Sequence, residues 1–160
     1  MTDFAGLVSA LVDGDVRFIL VGGVAATVHG SARLTRDVDV VYDRRPDNID
    51  RLARALSPHH PVLRDAPPGL PFTLDVATVT AGLNFTLTTD LGDLDVFGEI
   101  AGGGTYENLM SHAVRVELFG RHCDCLSIDQ LIAVKRAAGR PRDVEAIAEL
   151  ELIRDRTRTS

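Results

Sequence analysis

Apolar positions recur along this chain with two periods, and together they mark out helices and strands in alternation. Phe4, Leu7, Val8 and Leu11 fall at i, i+3, i+4 and i+7, which predicts an amphipathic helix over residues 2 to 12. Asp13-Gly14-Asp15 ends it. Residues 17 to 21 form a short apolar run, the pattern of a buried strand. Gly22-Gly23 then opens a short helix over residues 24 to 29, closed by Gly30-Ser31. Residues 37 to 42, Asp-Val-Asp-Val-Val-Tyr, predict the next strand. Ile49, Leu52, Ala53 and Leu56 share one face of a helix over residues 47 to 56, and Pro46 suits its first turn.

The second half continues in the same style. Residues 57 to 71 hold five of the seven prolines and predict a loop. Residues 72 to 78 and 83 to 89 are strand-like and are joined around Ala81-Gly82; residues 94 to 97 make another short strand. Gly102-Gly103-Gly104 is a loop before a helical turn over residues 106 to 112. Residues 114 to 119 and 122 to 126 predict a hairpin turning at Gly120. Ser127-Ile128-Asp129-Gln130 fits a capping box, Gly139 a helix stop, and Pro141 the start of a last helix to about Ile153. The expectation is one α/β (α+β) domain over residues 1 to 153, a mixed β-sheet flanked by helices with a helical C-terminus, and a frayed tail over residues 154 to 160.

Composition narrows the classes. A 160-residue chain that is 45 % hydrophobic can bury a real core. No stretch approaches the roughly 20 apolar residues that span a bilayer, and the N-terminus lacks the basic start of a signal peptide. A cytoplasmic protein with no membrane partner is expected. The net charge of −6 argues against coating nucleic acid by bulk charge, yet leaves room for a local basic patch or for an NTP bound through a metal. Cys123 and Cys125 form neither a disulfide framework nor a zinc spacing, and are expected to be small hydrophobes on a strand.

The chemistry concentrates on a few residues. Asp37 and Asp39 stand two apart on a strand, so both carboxylates project from one face while Val38 and Val40 enter the core. Such a pair repels itself unless a hard cation such as Mg²⁺ intervenes. An isolated Asp-x-Asp is more simply a solvated edge strand. Here it follows Gly22-Gly23 and a helix start, where free N–H groups and a side-chain-free backbone suit phosphate. A two-metal site needs a third carboxylate. Asp95 is the leading candidate, Asp75 its rival with the same local pattern, and Asp93 a weaker one.

Lys135 is the single lysine beside sixteen arginines, and it falls in the middle of the apolar face set by Ile128, Leu131, Ile132 and Ala138. It must snorkel, find a carboxylate or reach a polar site; reaching a triphosphate is the functional option. Asp143 is placed to favour a helix dipole, or to orient Lys135 or an arginine in the site. Arg33 is a candidate phosphate ligand or a counter-charge to the acidic pair.

With these residues in place, the chain resembles the polymerase-beta-type nucleotidyltransferase superfamily, and within it the AbiEii-like group known for toxins of toxin–antitoxin pairs. The matching stretches begin at Val21-Gly22-Gly23, at Gly30 up to Asp37-Val38-Asp39-Val40, at Gly92-Asp93-Leu94-Asp95, and at Lys135 up to Asp143. Gly23 stands where the wider superfamily commonly carries a serine, so a hydroxyl is missing at that position. The resemblance implies Gly22 and Gly23 at the phosphate turn, Asp37 and Asp39 as metal ligands, Asp95 as the third acid, and Lys135 and Asp143 in the second half of the site. It implies Mg²⁺, an NTP substrate, and an acceptor that is RNA, protein or a small molecule. A toxin acting on tRNA or another RNA, with a cognate antitoxin, is the leading expectation. A transferase of aminoglycoside-like small molecules and a partner-binding regulator with little catalysis are the alternatives.

Overall fold

The computed structural model describes residues 1–159. In chain order the elements are α1 (Phe4–Asp13), β1 (Phe18–Val21), α2 (Gly22–Val28), β2 (Asp37–Tyr42), α3 (Pro46–Leu56), β3 (Val62–Leu63), α4 (Val76–Ala81), β4 (Phe85–Thr89), β5 (Gly92–Phe97), β6 (Glu99–Ile100), β7 (Gly104–Thr105), α5 (Tyr106–Met110), β8 (Ala113–Leu118), β9 (Arg121–Leu126), α6 (Ile128–Ala138) and α7 (Val144–Thr159). Seven strands form one mixed sheet in the order β3-β4-β5-β2-β1-β9-β8; β6 and β7 pair separately. Within the large sheet, β2 runs parallel to β5 and β1 parallel to β9, while the other neighbours are antiparallel. This is the expected mixed sheet flanked by helices with a helical C-terminus.

The centre of the sheet is its driest part. All four residues of β1 are buried, as a strand covered on both faces should be. Val38 and Val40 of β2 and Leu94 and Val96 of β5 are fully buried beside it. Leu7 and Leu11 of α1 and Leu52 and Leu56 of α3 join the same core. The amphipathic spacing of α1 and α3 is thus realised as burial. Cys123 and Cys125 are free and buried on β9, small apolar fillers as expected.

Three segments depart from the sequence reading. Residues 72 to 78 are not a strand: helix α4 starts at Val76, and the Asp75 carboxylate caps it by accepting from the Thr78 N–H at 2.8 Å. β-branched composition favoured a strand there, but a side-chain cap decides for the helix. The proline-rich loop contains β3, which pairs Val62 and Leu63 with Thr88 and Leu87 of β4. The last helix does not fray near Ile153 but continues through Thr159, with Arg154 and Arg158 reaching Asp129. Ser160, in the expected tail, lies outside the described residues.

One buried polar residue ties the sheet to α3. Asn48 is fully buried; its side chain accepts from the Arg17 N–H at 2.6 Å and donates to the carbonyls of Arg17 at 3.0 Å and Asp43 at 2.7 Å. It therefore joins the start of β1 to the end of β2. Asn48→Leu keeps the bulk but strips these bonds, and an unsatisfied buried polar group costs about 1–3 kcal/mol. Chemical denaturation of this variant should show a loss of roughly 2–4 kcal/mol. A loss under about 0.5 kcal/mol, the range of an ordinary surface substitution, would mean that Asn48 is not a staple.

Candidate active site

The parallel pairing of β2 with β5 sets Asp37 opposite Asp93 and Asp39 opposite Asp95. Alternation turns these side chains to the face away from Val38, Val40, Leu94 and Val96. One carboxylate oxygen from each of Asp37, Asp39 and Asp95 lies within 4.8 Å of the other two. Asp75 is exposed at the cap of α4 and takes no part. Between the rival third acids the geometry brings Asp95 to the pair; Asp93 sits beside it, accepting from the Thr88 hydroxyl at 3.1 Å.

The cluster is electrostatically costly. Burial, and then the charges of Asp37 and Asp95, push the Asp39 carboxyl up to about 8. Burial and Asp95 raise Asp37 as well. The Asp39 Oδ1 atom is buried without a hydrogen-bond partner. A buried carboxylate oxygen left unpaired beside two other acids is the donor set that a hard divalent cation satisfies, so these residues fit a metal.

Arg64 is the residue that sequence reasoning missed. Directly after β3, it reaches across β4 into the acids. Its Nη2 donates to Asp95 Oδ1 and to the Leu87 carbonyl, both at 2.7 Å. Nη1 lies 3.8 Å from Asp37 Oδ2, and Nε lies 3.5 Å from Asp93 Oδ1 without making a hydrogen bond. Burial opposes its charge, but the bond to Asp95 and the surrounding carboxylates outweigh it and raise its pKa. No local motif announces Arg64, because it sits in a proline-rich segment. Its signal is the two-residue strand that carries it to the site.

The Gly22-Gly23 turn stands over the same face. Gly22 has φ +66°, a conformation that favours glycine, and a Cβ there would collide with the Asp39 carboxylate. Gly22, Asp39, Lys135 and Arg140 line one cavity of about 330 Å³, whose apolar wall includes Phe97, Ile100 and Val134. Gly22, Gly23, Arg33, Thr35 and Lys135 line a second, of about 110 Å³. Lys135 borders both. Its Nζ lies 3.5 Å from Asp143 Oδ1, while Arg140 Nε donates to Asp143 Oδ2 at 2.7 Å. Burial works against the charge on Asp143, yet Arg140 and Lys135 hold its carboxyl below the ordinary range. Asp143 thus faces two cations. Arg33 is half exposed at the rim, 3.7 Å from Glu145.

The family model of the nucleotidyl transferase AbiEii toxin of type IV toxin–antitoxin systems matches residues 7–149, nearly the whole chain. The chain belongs to the AbiEii nucleotidyltransferase family. No curated protein matches it significantly. Its fold is shared by solved structures, of which two are described. One is the lincomycin-bound lincosamide antibiotic adenylyltransferase LnuA, with a TM-score of 0.58 and 16 % identity over 92 % of this chain and 93 % of that one. The other, from Thermotoga maritima, is described as a candidate nucleotidyltransferase; its TM-score is 0.56 at 16 % identity, over 88 % of this chain and 85 % of that one. In this AbiEii chain the acids, the double glycine and the lysine all fall within the matched region. Among the described residues no helix is long and apolar enough to cross a membrane.

The charge balance makes a pH prediction. The folded chain keeps the Asp39 proton that an unfolded aspartate releases near its ordinary value of 3.8. Without metal, stability therefore falls as pH rises from about 4 to about 8, because over that window the unfolded state gives up the proton first. Asp39→Asn should flatten this slope and melt above the wild type at pH 8 in chelator. Mg²⁺ should raise the wild-type melting point more at pH 8 than at pH 6. Scanning fluorimetry across that range checks it, and a wild-type curve that is flat without metal would count against the buried, protonated Asp39. Arg64→Leu should lower the metal-free melting point at pH 8 and show a larger rise with Mg²⁺ than the wild type, since the cation then replaces the lost guanidinium.

Proposed function

We propose that this chain is a Mg²⁺-dependent nucleotidyltransferase that moves a nucleoside monophosphate from an NTP to an RNA hydroxyl, acting as the toxin of a pair with a cognate antitoxin. The observation that carries the reaction is the convergence of Asp37, Asp39 and Asp95 beneath Gly22, with Asp39 Oδ1 unpartnered. Mg²⁺ held by these three carboxylates would neutralise the phosphates and acidify the attacking hydroxyl. Asp95, aligned by Arg64, stands ready to take the hydroxyl proton. The Gly22 backbone admits phosphate closely, because no side chain intervenes. Lys135, steadied by Asp143, offsets the negative charge that gathers on the departing pyrophosphate.

An RNA acceptor is favoured by the placement of charge. Arg33, Arg36, Arg140 and Arg142 are all exposed and flank the site residues in sequence, and two of them line its cavities. An acidic chain that gathers exposed arginines here suits a polyanion better than a cationic small molecule.

Incubation with each α-³²P-labelled NTP, Mg²⁺ and total RNA should label RNA. Asp37→Ala/Asp39→Ala should reduce that label by at least ~10³-fold, as expected when metal ligands are removed. Label on a small molecule or a protein would replace RNA with that acceptor class. Absence of any label, together with no NTP binding, would overturn the enzymatic reading.

A further inference from the structure

The acids of this site are not equally free to take a cation. The Arg64 guanidinium stands 2.7 Å from Asp95, 3.5 Å from Asp93 and 3.8 Å from Asp37, so a fixed positive charge already faces these three. Among the described residues no ion pair reaches Asp39, whose buried Oδ1 has no hydrogen-bond partner. The patch is therefore divided. Its Asp95 side holds a resident cation, and its Asp39 side holds none.

The guanidinium is not a loose plug. It stays charged at any working pH. Its Nη2 donates to the Leu87 carbonyl at 2.7 Å as well as to Asp95. The Arg64 backbone N–H donates to the Thr86 carbonyl at 2.9 Å, which ties the stem of the side chain to β4. The side chain is only 21 % exposed. Withdrawing it would break the bonds to Leu87 and Asp95 and leave a half-buried charge without partners.

Paired catalytic ions lie about 3.5–4 Å apart and clamp the same reacting group. Two ions here would have to divide three acids, one toward Asp39 and the other toward Asp95. The Asp95 side is where the guanidinium stands. A divalent ion seated between Asp37 and Asp95 would meet that charge at ion-pair range, and like charges repel strongly in a partly buried site. Room is left for one ion, toward Asp39.

We infer that this site takes a single divalent ion, and that Arg64 is its second cation, standing where a second ion would bridge Asp37 and Asp95. The inference rests on the nucleotidyltransferase reading above and assigns the division of charge within it.

The test is an ion count. Equilibrium dialysis of the full chain against Mn²⁺, with each of the four α,β-methylene ribonucleoside triphosphates present, gives the ions held per chain. Asp37→Ala/Asp39→Ala dialysed without triphosphate supplies the blank for surface acids. The wild type should hold one ion above the blank. Arg64→Ala vacates the place and should hold two, whose separation of about 4 Å shows as spin coupling in the electron paramagnetic resonance spectrum. Arg64→Gln keeps an amide donor for the Leu87 carbonyl and removes the charge; it should also hold two, and it serves if Arg64→Ala does not fold. Two ions in the wild type would overturn the inference and leave the nucleotidyltransferase reading intact. One ion in the wild type and still one in the Arg64 variants would overturn it too, since the guanidinium would then be keeping no ion out. A wild type that holds no ion above the blank and binds none of the triphosphates would overturn both readings.

Discussion

The register between β2 and β5 is the constraint on which the rest of this molecule turns. Pairing in parallel, with Asp39 level with Asp95, brings three carboxylates onto one patch of a sheet whose other face is Val38, Val40, Leu94 and Val96. A slip of one residue would send the acids into the core and the valines into the cavity. The apolar alternation therefore fixes the site, and the cost of crowding like charges falls on whatever surrounds them. The cost shows in Asp39, whose carboxyl burial and its acid neighbours push up to about 8, and the Arg64 guanidinium offsets part of it. A cation held by the three acids would offset the rest.

Arg64 explains the form of the proline-rich segment. A two-residue strand is too short to add much pairing energy, but β3 lies at the edge of the sheet and aims the next residue inward over β4. The Leu87 carbonyl fixes the guanidinium plane while Asp95 takes its charge. A planar donor that bonds two groups at once sets orientation as well as charge, which an ammonium would not. Asp95 is thereby tied to a fixed planar donor while a carboxylate oxygen stays within 4.8 Å of those of Asp37 and Asp39.

Much of this is legible in the order of residues alone. The helices α1 and α3 follow from apolar spacing, the hairpin β8–β9 from Gly120, and the acid pair from period-two alternation followed into β5. What stays hidden depends on contacts that spacing does not report. The helix α4 starts at a cap where the Asp75 carboxylate accepts from the Thr78 N–H, against a β-branched composition that argues for a strand. The extension of α7 to Thr159 depends on Asp129, which reaches Arg154 and Arg158 from the start of α6. Arg64 joins the site only because β3 pairs with β4. Propensity and periodicity report average preferences and near neighbours, whereas these three outcomes are settled by particular partners that the folded chain supplies.

The double glycine shows the same division between two adjacent residues. At Gly22 the conformation itself calls for glycine, and the approach of Asp39 repeats the demand. At Gly23 the conformation is ordinary and the demand comes wholly from Thr35, twelve positions along the chain. Two neighbours that look equivalent in the sequence thus have different reasons to be small. One lets backbone and carboxylate meet, and the other makes room for a hydroxyl. In the sequence the two glycines read as one doublet, while in the fold each answers to a different partner, Asp39 for the first and Thr35 for the second. Smallness at one position is thus a demand of the backbone and at the next a demand of packing, and only the folded chain tells the two apart.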